Sequence, residues 1–339
     1  MPLSRRRPQD AGRSGESECM SVAVRGKSAR GWGLAAMLLL AVAGCRESAN
    51  DPARPAAEPV AAVQAMALRL AEDDLVGYAK LSVPPGQYQR LQQAWAEGHS
   101  QWPLTELPLD GQFLPMMAAL SRPDAPQRLQ RAFDAQIAGQ ATGVRQAAHS
   151  MGLFGVQYLR NQSDYSETER AHYTQVVDAL SRWAAAAPLT DRQRARTTIT
   201  LLTATARTAA LSTEEQLQAA GMEGSLRRLG PFAKAFKTAL ASYGLSLDTA
   251  LTELRGELVS QQGDTAVVRI QYPLAGEQID AQVRMTRREG HWYVTRTLED
   301  TDALLRAAEA AQAEHDAAKA AEAEAAAAVK DDASAPAKP

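Results

Sequence analysis

The chain has few cysteines, few aromatic residues and no excess of charge of one sign. It contains 339 residues, of which two are cysteine and 5% are aromatic, and its 39 acidic residues nearly balance its 37 basic residues. Two cysteines cannot make a disulfide-rich scaffold, and a chain without a basic excess is poorly suited to neutralise nucleic-acid phosphates. The hydrophobic fraction of 45% is close to that of folded domains, which argues against a disordered chain.

Common motifs of catalysis and nucleotide binding are also absent. The sequence holds no His-Glu-x-x-His helix, no Gly-x-Ser-x-Gly elbow, no Walker loop and no Gly-x-Gly-x-x-Gly turn. Carboxylate pairs such as Asp73-Asp74 are adjacent in sequence, so they do not face each other across a cleft as the acids of a glycosidase do. The sequence therefore assigns no catalytic residue and no cofactor, and it predicts a protein that is not an enzyme.

The amino-terminal segment has the three parts of a secretory signal. An uncharged apolar run at 34–43 follows a positive region formed by Arg25, Lys27 and Arg30. This run is too short to span a hydrocarbon core, which needs about 20 residues. Small residues then lead to a cysteine; the four positions are Val42, Ala43, Gly44 and Cys45.

These last four residues resemble the lipobox of bacterial lipoproteins. In that family the signal is cut before the cysteine, the cysteine sulfur is modified with diacylglycerol, and the new amino group is acylated. The resemblance implies that Cys45 is the lipidation site and that acyl chains hold the protein at a membrane, with about 0.8 kcal/mol from each buried CH₂. The alternatives are an ordinary secretory signal with a chance cysteine, or a buried core helix.

The resemblance also implies a destination. Arg46 directly follows Cys45. In enteric bacteria an aspartate at this position retains lipoproteins in the inner membrane, so we expect the outer membrane, on its periplasmic face.

Cleavage would remove seven bases and three acids with residues 1–44, leaving 30 bases and 36 acids, and it would remove Cys19. The arginine triplet at 5–7 lies 27 residues before the apolar run, so translation is expected to start at Met20, with a genuine extension as the alternative.

Hydrophobic periodicity along the mature chain predicts an α+β fold. A proline-containing segment at 45–59 is predicted to be a tether, because it cannot form a packed element. A helical domain at 60–242 is followed by one helix and a four-stranded antiparallel meander at 243–300. The alanine-rich segment 301–339 is predicted to be a helical tail that becomes disordered from Ala333 onwards, because it has few large apolar residues.

Local signals predict several helix ends. Two pairs of residues have the spacing of a capping box: Ser166 with Glu169, and Ser212 with Glu215. Between them, Pro188 and Thr190 are predicted to introduce a further helix. Gly-x-x-Gly at 221–224 is typical of a helix end and a restart, and a short helix at 247–255 is predicted to end at Gly256.

Alternation of apolar and polar residues predicts the strands. They are expected at 257–261, 265–272, 278–286 and 292–297. The segments 263–268, Gly-Asp-Thr-Ala-Val-Val, and 289–294, Glu-Gly-His-Trp-Tyr-Val, resemble the carboxyl-terminal part of nuclear-transport-factor-2-like and cystatin-like domains. That fold wraps several helices in a longer curved sheet, whereas only four strands are visible here. The resemblance implies an α+β fold and no particular function.

One predicted helix carries a polar stripe that could hold an anion. Its members fall at i, i+4, i+7 and i+11: Arg196, Thr200, Thr203 and Arg207. Two arginines flanking two hydroxyls suit an anion in a groove. The alternative is a half-buried helix whose threonines bond to their own backbone.

No metal site is predicted. Glu169-x-x-His172 is a single Glu-x-x-His pair, whereas a di-iron bundle needs two such pairs and two further glutamates. Glu169 is therefore expected to be a helix cap and His172 a surface residue. Eight aromatic residues at helical spacing are predicted to lie in the core: Trp95, Phe133, Phe154, Tyr158, Tyr173, Trp183, Phe232 and Phe236.

Two functional hypotheses follow. The first is a lipid-anchored lipoprotein of the cell envelope that contacts an unknown envelope protein or supports an envelope assembly, with the membrane as its second partner and no nucleic acid. The second is a periplasmic module that binds a small ligand in a pocket between the helices and the sheet. A flat apolar patch would favour the first hypothesis, and a closed cavity with converging polar groups would favour the second.

Overall fold

A computed structural model describes residues 56–106, 110–163 and 165–333, and confirms the α+β fold. Within these ranges the helices are α1 Pro59–Ala71, α2 Leu75–Ser82, α3 Pro85–Ala96, α4 Asp110–Ser121, α5 Ala125–Gln136, α6 Ala141–Arg160, α7 Glu167–Ala186, α8 Arg192–Ala209, α9 Glu214–Ser242, α10 Leu247–Thr252 and α11 Thr295–Ala333, with a 3-10 turn at Leu104–Glu106. The strands are β1 Arg255–Gln262, β2 Thr265–Leu274, β3 Glu277–Arg288 and β4 His291–Val294. The predicted cleavage and lipidation positions, Val42, Ala43, Gly44 and Cys45, lie outside the described residues.

Side-chain caps fix the starts of α7 and α8. The predicted capping box of α7 is confirmed: Glu169 N donates to Ser166 Oγ, and Ser166 N donates to Glu169 Oε2 at 2.7 Å. Helix α8 instead begins after Asp191, whose Oδ1 accepts from Arg194 N at 2.9 Å. The start predicted from Pro188 and Thr190 was therefore slightly early, because the capping bond is made by Asp191 and not by Thr190.

Helix α9 begins one residue later than predicted and breaks where predicted. Its cap is Thr213, which accepts from Gln216 N, whereas the prediction paired Ser212 with Glu215. Gly221 takes φ 67° and ψ 171°, which interrupts the helix and confirms the predicted end and restart. Near this break the carbonyl of Leu217 accepts from the indole of Trp95 and from Ser225 Oγ, both at 3.1 Å, so buried donors satisfy it.

The four strands form an antiparallel meander in the order β1-β2-β3-β4, as expected from their short connections. Helix α10 ends at Thr252, and Gly256 lies inside β1 rather than ending a helix. A Cβ at Gly256 would come within 2.8 Å of Val60 Cγ1, so this glycine lets α1 approach the sheet. Strand β4 is shorter than predicted because α11 begins at Thr295.

Two apolar clusters hold the molecule together. The first joins α1, α2, α7 and α10 to the inner face of the sheet, where Val268, Ile270 and Tyr272 of β2 are fully buried. The second joins α3, α4, α8 and α9 to the start of α11 through Leu305. The first cluster spans both sides of the boundary at 242/243 that the sequence suggested. Burial of β2 on one face gives the meander its stability.

The start of α11 belongs to the body of the protein. Thr301 and Leu305 are buried, Arg90 pairs with Glu309, and His99 Nε2 lies 2.9 Å from Gln312 Oε1. The segment predicted to be a free tail from residue 301 is therefore attached as far as Gln312. No helix in the described ranges combines the length and the apolar character that a membrane span requires.

Candidate interaction surface

Helices α6 and α7 form a hairpin in which α7 separates α6 from the sheet. The inner face of α7 contributes Val176 and Ala179 to the core under the sheet, and His172 bonds to Tyr272 of β2. The opposite face of α7 receives α6. Helix α6 is therefore an outer layer whose far side meets solvent.

Two glycines bring α6 close to α7. A Cβ at Gly152 would lie 2.5 Å from Ser181 Cβ, and a Cβ at Gly155 would lie 3.0 Å from Val177 Cγ1. Gly152, Gly155 and Leu159 are the buried residues of α6. Glycine costs a helix about 1 kcal/mol relative to alanine, so the close packing offsets that cost and fixes which side of α6 faces outwards.

One turn of α6 presents three large apolar side chains to solvent. Met151 and Phe154 are each 72% exposed and Leu153 is 62% exposed, which are the highest values among the large apolar residues of the described part. The rings of Phe154 and Tyr158 stack with centroids 6.3 Å apart. We call Met151, Leu153 and Phe154 the apolar knob. The prediction that Phe154 lies in the core was wrong, and so was that for Phe236, which is 43% exposed.

Polar residues surround the apolar knob along the helix. They are all exposed: Gln146, His149, Ser150, Gln157 and Arg160. The segment 135–163 contains no acidic residue, whereas α6 carries Arg145 and Arg160. The exposed surface of α6 is thus a single apolar turn within a helix of positive charge.

An open cleft lies on a different part of the molecule, between the α1–α2 turn and α9. Its volume is about 520 Å³, and its apolar lining comes from Leu75, Val76, Leu226 and Pro231. Gly230 lies against the turn, because a Cβ there would come within 2.8 Å of the carbonyl oxygen of Asp73. This volume is in the range of small-molecule pockets, but the cleft is open and lies between helices rather than between helices and sheet.

Charged residues at the rim of the cleft are of both signs. Glu72, Asp73 and Asp74 lie on one side, and Arg227 and Lys234 lie on the other. The Glu72 and Asp74 side chains are 47% and 40% exposed and share the guanidinium of Arg69. The Arg227 side chain is 71% exposed and Lys234 is exposed as well, so the cleft presents charges of both signs to solvent.

A buried lysine holds the acidic turn in place. Lys237 is 5% exposed, and its Nζ lies 2.9 Å from Asp73 Oδ1 and 2.5 Å from Asp248 Oδ1. The same ammonium donates to the carbonyl oxygens of Leu70 and Ala71, each at 2.9 Å. A cation near the last carbonyls of a helix is favourable, so Lys237 caps α1 and positions the turn that follows.

His172 and Glu169 each have a structural partner. His172 is buried rather than on the surface as predicted, and its Nε2 lies 2.7 Å from the hydroxyl of Tyr272. Burial lowers the pKa of His172 to about 4, although the carboxylate of Glu169 acts in the opposite direction. Glu169 serves as the predicted cap. Among the described residues, no group of three histidine, cysteine, aspartate or glutamate residues could hold a metal ion.

A half-buried acid, Glu106, lies in the 3-10 turn. The indole of Trp102 donates to Glu106 Oε1 at 2.5 Å. Burial is the largest influence on the pKa of Glu106 and raises it to about 8. The hydrogen bond from Trp102 and the charge of Arg296 lower this pKa, whereas the charge of Asp300 raises it. Sequence patterns gave no sign of this carboxyl, because its neighbours come from α11, far along the chain.

The predicted anion stripe is not assembled as a groove. Thr203 is fully buried and donates to the carbonyl of Ile199 at 2.7 Å, whereas Arg196, Thr200 and Arg207 are exposed. Thr200 Oγ1 donates to the carbonyl of Arg196 at 2.8 Å, and Arg207 Nε donates to the carbonyl of Thr203 at 3.2 Å. These bonds are those of the backbone-bonded alternative, and the anion site stays a prediction.

Comparison of the chain with models of known protein families, with curated proteins and with solved structures found no match.

Proposed function

We propose that this protein is a lipid-anchored lipoprotein of the cell envelope that acts by binding another protein through the apolar knob of α6, without catalysis. The observation that carries the proposal is the exposure of Met151, Leu153 and Phe154 on an outer helix. Large exposed apolar patches on soluble domains are typical of interaction sites, and binding energy at interfaces is concentrated in a few large side chains.

The shape of the exposed surface favours a protein over a lipid surface. A helix that lies in a membrane interface has an apolar face along its length. In α6 the exposed large apolar residues are confined to positions 151–154, and exposed polar side chains lie before and after them. A single apolar turn fits a pocket on a partner protein.

The anchor rests on the sequence of the amino-terminal segment. The lipobox resemblance at Val42, Ala43, Gly44 and Cys45 implies lipidation at Cys45, and Arg46 implies the outer membrane, on its periplasmic face. Confinement at a surface raises the effective concentration of the α6 face for a partner in the same envelope. Anchoring and docking together would support an envelope assembly.

The docking part of the proposal is tested by photo-crosslinking in the cell. A photoreactive phenylalanine analogue at Phe154 is expected to capture a discrete protein, and Leu153→Asp in the same chain should abolish that adduct. The matched control places the analogue at Val259, an apolar residue that is 51% exposed on β1. Equal capture at both positions, or lipid adducts alone at Phe154, would contradict the proposal.

The anchoring part has a separate test. Labelled palmitate should be incorporated into the wild-type chain and not into Cys45→Ser, and the variant should leave the membrane fraction. Ser48→Cys in the Cys45→Ser background is a control, because it restores a thiol outside the lipobox position. Palmitate incorporation by Cys45→Ser would exclude Cys45 as the lipidation site.

The alternative function is a small-ligand module. The observation in its favour is the cleft between the α1–α2 turn and α9, whose volume is that of a ligand pocket. The cleft is open to solvent and carries charges of both signs, so it lacks the closed apolar enclosure expected of a module for hydrophobic ligands. Retention of a bound small molecule through purification, detected by mass spectrometry of the native protein, would favour this alternative.

A further inference from the structure

We propose that the open cleft between the α1–α2 turn and α9 binds a short peptide with apolar side chains and with free amino and carboxyl ends. The cleft shares no residue with the apolar knob, so this site goes beyond the proposed function. Two features of the cleft carry the proposal: its two rims hold charges of opposite sign on different elements, and an apolar lining lies between them.

The rim formed by the α1–α2 turn keeps a negative charge although its acids are paired. Four carboxylates share only two cations, Arg69 and Lys237; these acids are Glu72, Asp73, Asp74 and Asp248. The Arg69 side chain is 17% exposed, whereas that of Glu72 is 47% exposed. The guanidinium therefore lies deeper than the carboxylate, which stays open to a cation that arrives from solvent.

The rim formed by α9 has the opposite imbalance. Arg227 Nη2 lies 3.6 Å from Glu223 Oε2, but Lys80 Nζ lies 2.8 Å from the other oxygen of the same carboxylate. Lys234 makes no ion pair with any residue in the described ranges. Three cations thus share one acid, and the two that line the cleft, Arg227 and Lys234, are exposed.

The acidic rim is held in a fixed position against α9. Gly230 allows the approach, because a Cβ there would come within 2.8 Å of the carbonyl oxygen of Asp73. Asp73 takes φ 60°, a left-handed conformation that aspartate tolerates. Asp74 Oδ1 accepts from Gly77 N at 2.8 Å and so caps α2. Glu72 is therefore the carboxylate for a ligand, and a preorganised rim lowers the entropic cost of binding.

The chemistry of the two rims selects a zwitterion. The turn repels a simple anion, and α9 repels a simple cation, whereas a peptide can place its ammonium group at Glu72 and its carboxylate at Lys234. Aliphatic side chains of the peptide would meet the apolar lining of the cleft: Leu75, Val76, Leu226 and Pro231.

The size of the cleft favours a peptide over a free amino acid. Its volume of about 520 Å³ corresponds to a span of about 10 Å, and two extended residues span about 7 Å. A single amino acid holds its two charges within about half that length. We therefore expect a dipeptide to bind more tightly than the corresponding amino acid.

Calorimetric titration of the purified full-length chain in detergent tests the proposal. The probes are leucyl-leucine, its N-acetyl form, its carboxyl amide and leucine. Leucyl-leucine should bind saturably, and blocking either end should weaken binding about tenfold, because each block removes one charge-assisted contact. These comparisons use the wild-type chain, so they do not depend on the folding of a variant.

Two variants then assign each end of the peptide to a rim. Lys234→Gln should weaken binding of leucyl-leucine about tenfold and leave the affinity for its amide unchanged. Glu72→Gln should weaken binding of leucyl-leucine and leave the affinity for the N-acetyl form unchanged. Arg228→Gln is the matched control, because Arg228 is exposed on α9 and lies outside the cleft. Phe154→Asp should bind like the wild type.

Four results would overturn the proposal. They are the absence of saturable binding of leucyl-leucine up to about 10 mM, equal affinities for the free and the blocked dipeptides, wild-type affinity in both Lys234→Gln and Glu72→Gln, and binding of leucine as tight as that of leucyl-leucine.

Discussion

His172 of α7 and Tyr272 of β2 are a hundred residues apart in sequence, and the Nε2 atom of the histidine lies 2.7 Å from the hydroxyl of the tyrosine. Both side chains are buried, and Gln175 reinforces the same junction by donating to the carbonyl of Asp280 at 2.8 Å. The polar pair therefore ties α7 to the sheet. A buried histidine that stays neutral also makes this junction sensitive to acid.

Acid should weaken the junction between α7 and the sheet. Burial lowers the pKa of His172 in the folded state from 6.5 to about 4, so the unfolded chain binds more protons between these values. His172 contributes about 3 kcal/mol to the free energy of unfolding above pH 6.5. This contribution is lost as the pH falls towards 4. His172→Gln keeps a polar partner for Tyr272 and does not titrate. Urea unfolding at a series of pH values should show the wild type losing stability relative to the variant below pH 6.5; parallel curves would exclude this role.

Glu106 should have the opposite dependence on pH. Its pKa is raised from 4.5 to about 8 in the folded state, chiefly by burial, so the folded chain binds more protons between these values. The stabilising contribution of the protonated acid is present below pH 4.5 and is lost as the pH rises to 8. Glu106→Gln can still accept from Trp102, and it should become more stable than the wild type as the pH is raised. Unfolding monitored by tryptophan fluorescence tests this, and a pH-independent difference between the two chains would contradict it.

Close packing of α6 on α7 predicts opposite effects for two glycine substitutions in the same helix. Gly152→Ala should destabilise the protein by about 1–3 kcal/mol, because the new methyl group meets Ser181 and this overpacking outweighs the gain in helix propensity. Gly143→Ala has no atom within 4 Å of its Cβ, so it should be neutral or stabilising by up to about 1 kcal/mol. Thermal and urea unfolding measure both. Equal effects at the two positions would show that α6 does not dock on α7 through Gly152.

Loss of Lys237 should cost far more than loss of Lys234. Lys237→Met leaves Asp73 without its ion pair and the carbonyls at the end of α1 without a donor. We expect this to lower the free energy of unfolding by about 3 kcal/mol. Lys234 is exposed on the preceding turn of the same helix, and Lys234→Met should change the free energy of unfolding by less than about 0.5 kcal/mol. Urea unfolding compares the two variants. A small effect at Lys237 would mean that solvent replaces its bonds.

Local signals in the sequence predicted the four strands and several helix ends, and long-range contacts explain some of the errors. The capping box of Ser166 and Glu169 and the break at Gly221 depend on residues within one turn, so their patterns predicted them correctly. Gly256 was misassigned as a helix end because its actual role, the approach of Val60, involves a helix near the other end of the chain.

The interaction surface shows a second limit of sequence patterns. Phe154 and Trp95 both lie at apolar positions of predicted helices, yet Trp95 is 2% exposed and Phe154 is 72% exposed. Helical spacing identifies a face of a helix but does not say what covers it. The neighbouring Gly152 and Gly155 were an available signal, since small residues often mark the side on which two helices touch, and the large residues between them must then point elsewhere.

The hydrogen bond from Trp292 N to the carbonyl of Ala56, 3.2 Å long, fixes the chain to the edge of the sheet. Together with the proposed anchor, it would limit the distance between the sheet and a membrane. Eleven peptide units separate Cys45 from Ala56, so a lipidated Cys45 would keep this edge of the sheet within about 40 Å of the bilayer surface. Helix α11 starts three residues beyond Trp292 and runs for 39 residues, a reach of about 58 Å. The anchor would thus keep the sheet close to the bilayer surface, whereas the far end of α11 could extend farther from the membrane than the sheet does.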